Sequence, residues 1–275
     1  MASDSPELDL FELTLHGGPP ERRYRNLRPD SEATLPWGTL DKSGFSEPEI
    51  AAARLGWTEA SLQEYVSAGA QAQMVRELVR ARVPLDLSAV ASRFSLDELA
   101  HAELCARVAA ELGGAVAVAY REAELFRETE RAENSELTAA RLVIWGCGSE
   151  CVAHALLRAL WQECRDPLLR AVRGRLAKDE AGHASFLWVF LGWLLPGLEP
   201  KELDTLRRHA GRLVLQLRQN LERTRVLPDE LFCALAPPGG LGKAGYLSRI
   251  ELEIAALAGR LQANGLEPVG VSGSP

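Results

Sequence analysis

From Trp57 onward, apolar residues recur three and four positions apart, the spacing of a helix face, in six successive stretches. The first predicts a helix over Trp57–Arg82, stopped by Pro84, and the second a helix over Leu87–Leu112, ended by Gly113-Gly114. The few residues between them predict an antiparallel pair. A charged segment, YREAELFRETERAEN, reads as partly helical and is long enough to cross a bundle. Beyond it, periodicity predicts helices over Glu136–Cys164 and from Asp166-Pro167, an N-cap and a first-turn proline, to Pro196. Two further helices are predicted over Lys201–Arg225 and Tyr246–Ala263.

The flanks read differently. Residues 1–56 are rich in Pro, Gly and charge and predict an extended arm, with one short helix opened by the capping-box spacing Ser46-Glu-Pro-Glu49 and ending near Gly56. Residues 57–196 form the predicted four-helix bundle, 197–265 a C-terminal helical extension, and 266–275 a disordered tail. The fold class is therefore all-α, with a long crossover between two hairpins. PPGGLGKAG fails as a phosphate loop, because Pro237 and Ala244 stand where G-x-x-x-x-G-K-[ST] needs Gly and Ser or Thr; it reads as a flexible loop.

Composition narrows the class. With 275 residues, 47% hydrophobic and 25% charged, the chain can bury a large core, and a net charge of −7 leaves no broad basic surface for nucleic acid. FLWVFLGWLLPGL is shorter than the roughly 18 residues a membrane span needs and predicts a buried helix end. The acidic N-terminus lacks the features of a signal peptide, so a cytoplasmic location is expected. Five cysteines without a C-x-x-C pair predict buried thiols; Cys147 and Cys151 share a helix face, and a redox pair there is the alternative.

The chemistry lies in a repeated frame, DELAHA from Asp97 and DEAGHA from Asp179. Three residues apart on a helix, Glu98 with His101 and Glu180 with His183 can each offer a carboxylate and an imidazole to one metal ion. Both frames fall on the second helix of a hairpin. The first helices offer Glu64, thirty-four residues before Glu98, and Glu150, thirty before Glu180, at similar heights; Glu77 lies too near the turn. Ser61-x-x-Glu64 and Ser95-x-x-Glu98 also fit capping boxes, so either Glu could instead cap a helix. His154, four residues after Glu150, is an extra ligand, a proton carrier or a core histidine. His209 reads as exposed and His16 lies in the arm. Gly146 and Gly148 serve either close helix packing or access of dioxygen or substrate. Trp145, Trp161, Phe186, Trp188, Phe190 and Trp193 read as core before pocket.

Glu64, DELAH, Glu150 and DEAGH together resemble the ligand pattern of the ferritin-like di-iron carboxylate proteins, including bacterioferritin, rubrerythrin and bacterial di-iron oxygenases. The resemblance spans about residues 58–195. It implies two iron ions, or a Mn/Fe pair, held by Glu64, Glu98, His101, Glu150, Glu180 and His183, with Asp97 orienting His183 and Asp179 orienting His101. It further implies dioxygen as co-substrate. An oxidase or oxygenase acting on a small organic molecule is the leading expectation, and a ferroxidase, peroxidase or non-catalytic iron-binding protein the alternative. The paired C-x-x-C motifs of rubrerythrin are missing, so an external electron donor is expected. The p-aminobenzoate N-oxygenases carry a further His where this chain has Leu176, and the acidic balance counts against the tRNA-hydroxylating branch. No membrane partner is expected, and a homodimer is left open.

Overall fold

Ser46 and Glu49 close a reciprocal capping box, with the Ser46 amide donating to Glu49 Oε2 at 2.8 Å, and Pro48 follows in the first turn. The helix they start, α2 (Glu47–Arg80), runs unbroken through Gly56, where the sequence predicts a break. Trp57 and Ala53 on one face share a buried apolar cluster, and that packing outweighs the ~1 kcal/mol a helical glycine costs. The computed structural model describes residues 9–27, 34–122, 132, 134–229, 231–232 and 241–269. Residues 123–131 and 133 of the expected crossover, Cys233, the loop residues 237–240 and the tail from Gly270 lie outside them.

The arm is more structured than expected. Asp9–Leu10 (β1) pairs antiparallel with Ala119–Tyr120 (β2), and Gly18–Leu27 forms helix α1. The mean hydropathy of α1 is low, which hides it from a search for apolar periodicity; it is tied down by Arg25, whose guanidinium pairs with Glu103 at 2.6 Å.

Four long helices carry the rest: α2, α3 (Leu85–Glu111), α4 (Ser135–Glu163) and α5 (Pro167–Leu194). Their close pairs are α2 with α3 and α4 with α5, each joined by a short turn. Asp166 caps α5 by accepting from the Leu169 amide at 2.9 Å, and Asn134 caps α4 by accepting from the Glu136 amide at 2.8 Å. Gly113 and Gly114, at φ +118° and +110°, end α3 in backbone conformations that favour glycine. Helices α6 (Pro200–Arg225) and α7 (Gly242–Ala263) pack on α4 and on each other. α7 starts one turn earlier than predicted. Leu266, expected at the head of a disordered tail, is fully buried in the same core.

The apolar core is split in two. Leu78, Phe94, Ile144, Phe190 and Leu194 lie in one cluster with α6 and α7, and Trp57, Leu104, Val108, Leu169 and Leu176 lie in the other. On α3 and α5 the repeated frames fall between the residues given to the two clusters, so a polar layer is sandwiched between two apolar ones.

The glycines of α4 serve packing. A Cβ on Gly148 would sit 2.6 Å from Leu213 Cδ1, and one on Gly146 would sit 3.2 Å from Leu187. Gly182 faces open space, with nothing within 4 Å. Gly148→Val is therefore expected to cost about 1–3 kcal/mol by overpacking, while Gly182→Ala gains up to about 1 kcal/mol of helix propensity. Urea denaturation of the metal-free chain measures both; equal effects would contradict this packing.

The aromatic expectation needs correction. Phe190 is fully buried and Trp188 packs against the core, but Trp145, Trp161, Phe186 and Trp193 are each more than a third exposed. Along α5, Leu187, Phe190, Leu191 and Leu194 take the inner face, leaving Phe186, Val189 and Trp193 outside. No helix among the described residues is long and apolar enough to cross a membrane.

Candidate metal centre

Six of the residues singled out by spacing converge in the polar layer. Glu64, Glu98, His101 and Glu180 form one group, and Glu98, Glu150, Glu180 and His183 form a second, each with one ligand atom per residue within 4.8 Å of the others. The two groups share Glu98 and Glu180. Glu98 directs Oε2 to within 3.4 Å of His101 Nδ1 and Oε1 to within 3.2 Å of His183 Nδ1. Glu180 does the same with Oε1 at 3.3 Å from His101 Nδ1 and Oε2 at 3.5 Å from His183 Nδ1. Of the two imidazoles, Glu64 meets His101, at 3.7 Å, and Glu150 meets His183, at 3.7 Å.

The capping alternatives fall away. Ser61 and Ser95 both lie inside helices, and the Ser61 hydroxyl instead donates to the Ala102 carbonyl at 2.8 Å. Glu77 is occupied elsewhere, paired with Arg76 and Arg80.

The outer nitrogens are held crosswise. His101 Nε2 donates to Asp179 Oδ2 at 3.1 Å, and His183 Nε2 lies 3.5 Å from Asp97 Oδ2. Each aspartate is braced in turn from one helical turn earlier: Arg93 Nε donates to Asp97 and Arg175 Nε to Asp179, both at 2.9 Å. The repeat is therefore longer than the frame that betrays it, reading R-x-x-x-D-E-x-x-H twice, and the two arginines could have been found from sequence by extending the alignment one turn. Gln71 is a further residue not anticipated. Buried two turns after Glu64, it donates from Nε2 to Glu150 Oε1 at 2.8 Å.

Burial and charge oppose each other here. Glu98, His101, Glu180 and His183 are at most 2% exposed, whereas the Glu64 side chain keeps 19% and marks the open rim. Burial pushes the Glu64 carboxyl up to about 8, although His101 pulls it back in part. Burial, reinforced by Glu180, holds Glu150 well above the usual carboxylate range. Burial acts the same way on Glu180, but Glu150 and both imidazoles outweigh it and keep Glu180 ionised. For the histidines burial opposes protonation, yet Asp179 and three glutamates raise His101, and Asp97 with three glutamates raises His183. Asp179, desolvated but paired with His101 and Arg175, is lowered to about 2.

The donor set fits metal ions. Both oxygens of Glu98, Oε2 of Glu180 and Nδ1 of both histidines are buried without a hydrogen-bond partner, a cost a protein rarely carries without compensation. These are the atoms that face the interior of the two groups. Four carboxylates and two neutral imidazoles match the charge of two divalent cations, and Nε2–H held on aspartate leaves Nδ1 as the donor lone pair. Asp179→Asn, which removes the charge behind His101, is expected to weaken metal binding about 10–100-fold without unfolding the chain. Competitive chelator titration measures it, and an unchanged affinity would contradict the role.

His154 is not part of either group. It is half-buried, lowered by burial and by Arg158, and it lines a cavity on the far side of α4. His209 is half-buried, not exposed: its Nε2 donates to the Arg141 carbonyl at 3.2 Å, its ring meets Trp145 edge-on, and burial with Arg212 lowers it to about 4. Leu176 lies in the apolar cluster one turn before Asp179. Cys105, Cys147, Cys151 and Cys164 are buried free thiols. No protein-family model matches the chain, and no curated protein or solved structure matches it.

Proposed function

We propose that the chain is a ferritin-like di-iron protein that uses dioxygen to oxidise a small organic substrate. The observation that carries this reading is the pair of four-residue ligand groups sharing Glu98 and Glu180. When bound there, two ferrous ions supply the electrons for dioxygen reduction, chemistry that side chains alone do not provide.

The chain's own residues set the conditions. Glu98 and Glu180 each present separate oxygens to both groups and would hold two cations between α3 and α5. Asp97 and Asp179, braced by Arg93 and Arg175, orient the imidazoles. Gln71 holds Glu150 by one oxygen and leaves the other towards His183. The apolar clusters above and below exclude water, so charge interactions inside the layer are stronger than at a surface. Glu64, the most exposed of the six, is where the layer comes nearest to solvent. A reductant comes from outside the chain.

The test is to load the metal-free chain anaerobically with ferrous iron, measure iron per chain, then admit air and follow oxygen uptake and near-ultraviolet ferric absorption. About two irons per chain and a rapid oxygen-dependent absorption, both lost in His183→Ala, are expected. Absence of tight iron binding would overturn the reading. Iron oxidation that no organic compound accelerates would move the chain to the ferroxidase or iron-storage side of the family.

A further inference from the structure

Behind Glu150 and His183, between α4, α5 and α7, lies a cavity of about 390 Å³. Its small side chains, Cys151, Ala159 and Ala184, are buried and form the floor. Two of these adjoin the candidate metal ligands in the chain: Cys151 follows Glu150, and Ala184 follows His183. His154, one turn after Glu150, faces the same space.

The walls are basic. Arg158, Arg249 and Arg260 line the cavity against a single carboxylate, Glu253, in a chain whose net charge is −7. Glu253 pairs with Arg260 and so neutralises one of the three. Arg158 and Arg249 have no hydrogen bond or ion pair among the described residues, and the Nε of Arg260 is buried with no hydrogen-bond partner. Guanidinium groups on the α4 and α7 walls, with one buried N–H left over, suit a planar oxyanion that can accept from more than one of them. The alanine and thiol floor suits a compact apolar body and offers it no charged group.

We propose that this cavity binds a small organic carboxylate, its acid group on Arg158 and Arg249 and its body on the floor of Cys151, Ala159 and Ala184. That the bound acid is the substrate rests on the function proposed above; that the cavity takes an organic anion does not.

Calorimetric titration of the metal-free chain with benzoate, at fixed ionic strength, tests the cavity. Saturable one-to-one binding is expected, weakened about tenfold or more in Arg158→Ala/Arg249→Ala, with benzamide binding no better to wild type than to the variant. Both arginines are exposed, so the variant is expected to keep the wild-type melting temperature and metal content. Benzoate binding that is absent, or equal in the two proteins, would overturn the proposal. Inorganic phosphate binding in place of benzoate would overturn the carboxylate assignment. Cobalt(II) loading tests the link to the metal layer: benzoate is expected to shift the visible cobalt spectrum of wild type and not of the variant. An unshifted spectrum on saturation overturns the substrate role, while failure to take up cobalt with intact benzoate binding counts against the metal centre and leaves the cavity standing.

Discussion

Glu98→Ala and Glu180→Ala are each expected to abolish binding of both metal ions, whereas Glu64→Ala and Glu150→Ala each remove one. The asymmetry follows from which oxygens face which imidazole. Glu98 has one oxygen 3.4 Å from His101 Nδ1 and the other 3.2 Å from His183 Nδ1, and Glu180 divides its oxygens the same way. Losing either leaves each group one donor short and removes a carboxylate charge that would offset repulsion between two cations. Glu64 and Glu150 belong to one group each. Because loss of an outer-layer partner already costs 10–100-fold in affinity by general experience, loss of a shared ligand is expected to cost at least about 100-fold. Glu98→Gln and Glu180→Gln keep the volume and guard against misfolding. Metal per chain after dialysis against a weak chelator measures the result. Equal loss in all four positions, or one ion retained without Glu98, would contradict a shared pair.

The second large effect is on pH. In the metal-free chain His101 and His183 are held protonated by the carboxylates around them, and Glu64 keeps its proton up to about pH 8. A divalent ion must displace these protons, so binding releases protons and apparent affinity rises with pH, by about tenfold per unit for each proton released. The sign for folding is opposite. A group whose pKa is raised on folding stabilises the fold below its unfolded value and loses that stabilisation as pH rises through the folded one. Glu64 is raised from 4.5 to about 8, so its contribution fades between those values, and both histidines act in the same direction above 6.5. Asp179, lowered to about 2, stabilises above its unfolded value near 3.8 and is constant across this window. The melting temperature of the metal-free chain is therefore expected to fall from pH 6 to pH 8 while that of the manganese-loaded chain does not. Calorimetry of metal binding in two buffers of different ionisation enthalpy counts the protons; none released would contradict the charge state derived for the layer.

A helix period tells which residues share a face, and that was enough for the all-α class, the four long helices and the candidate ligands. Glu98 with His101 and Glu180 with His183 are local pairs at i and i+3, and Glu64 and Glu150 follow from matched distances to a turn. What faces across the bundle is not local. That each shared glutamate splits its oxygens between two histidines, that Asp97 reaches the opposite frame's His183, and that Gln71 holds Glu150 are consequences of how four helices are rotated against one another, and rotation is set by the summed packing of both apolar clusters. The same limit explains the misread positions. Gly56 was outweighed by the burial of Trp57, and of the two readings open for Gly148 the approach of Leu213 from α6 selects close packing. His154, on nearly the same helix face as Glu150, differs by about 40° of helix rotation, and in the folded chain that angle separates a candidate metal ligand in the polar layer from the wall of the basic cavity behind it.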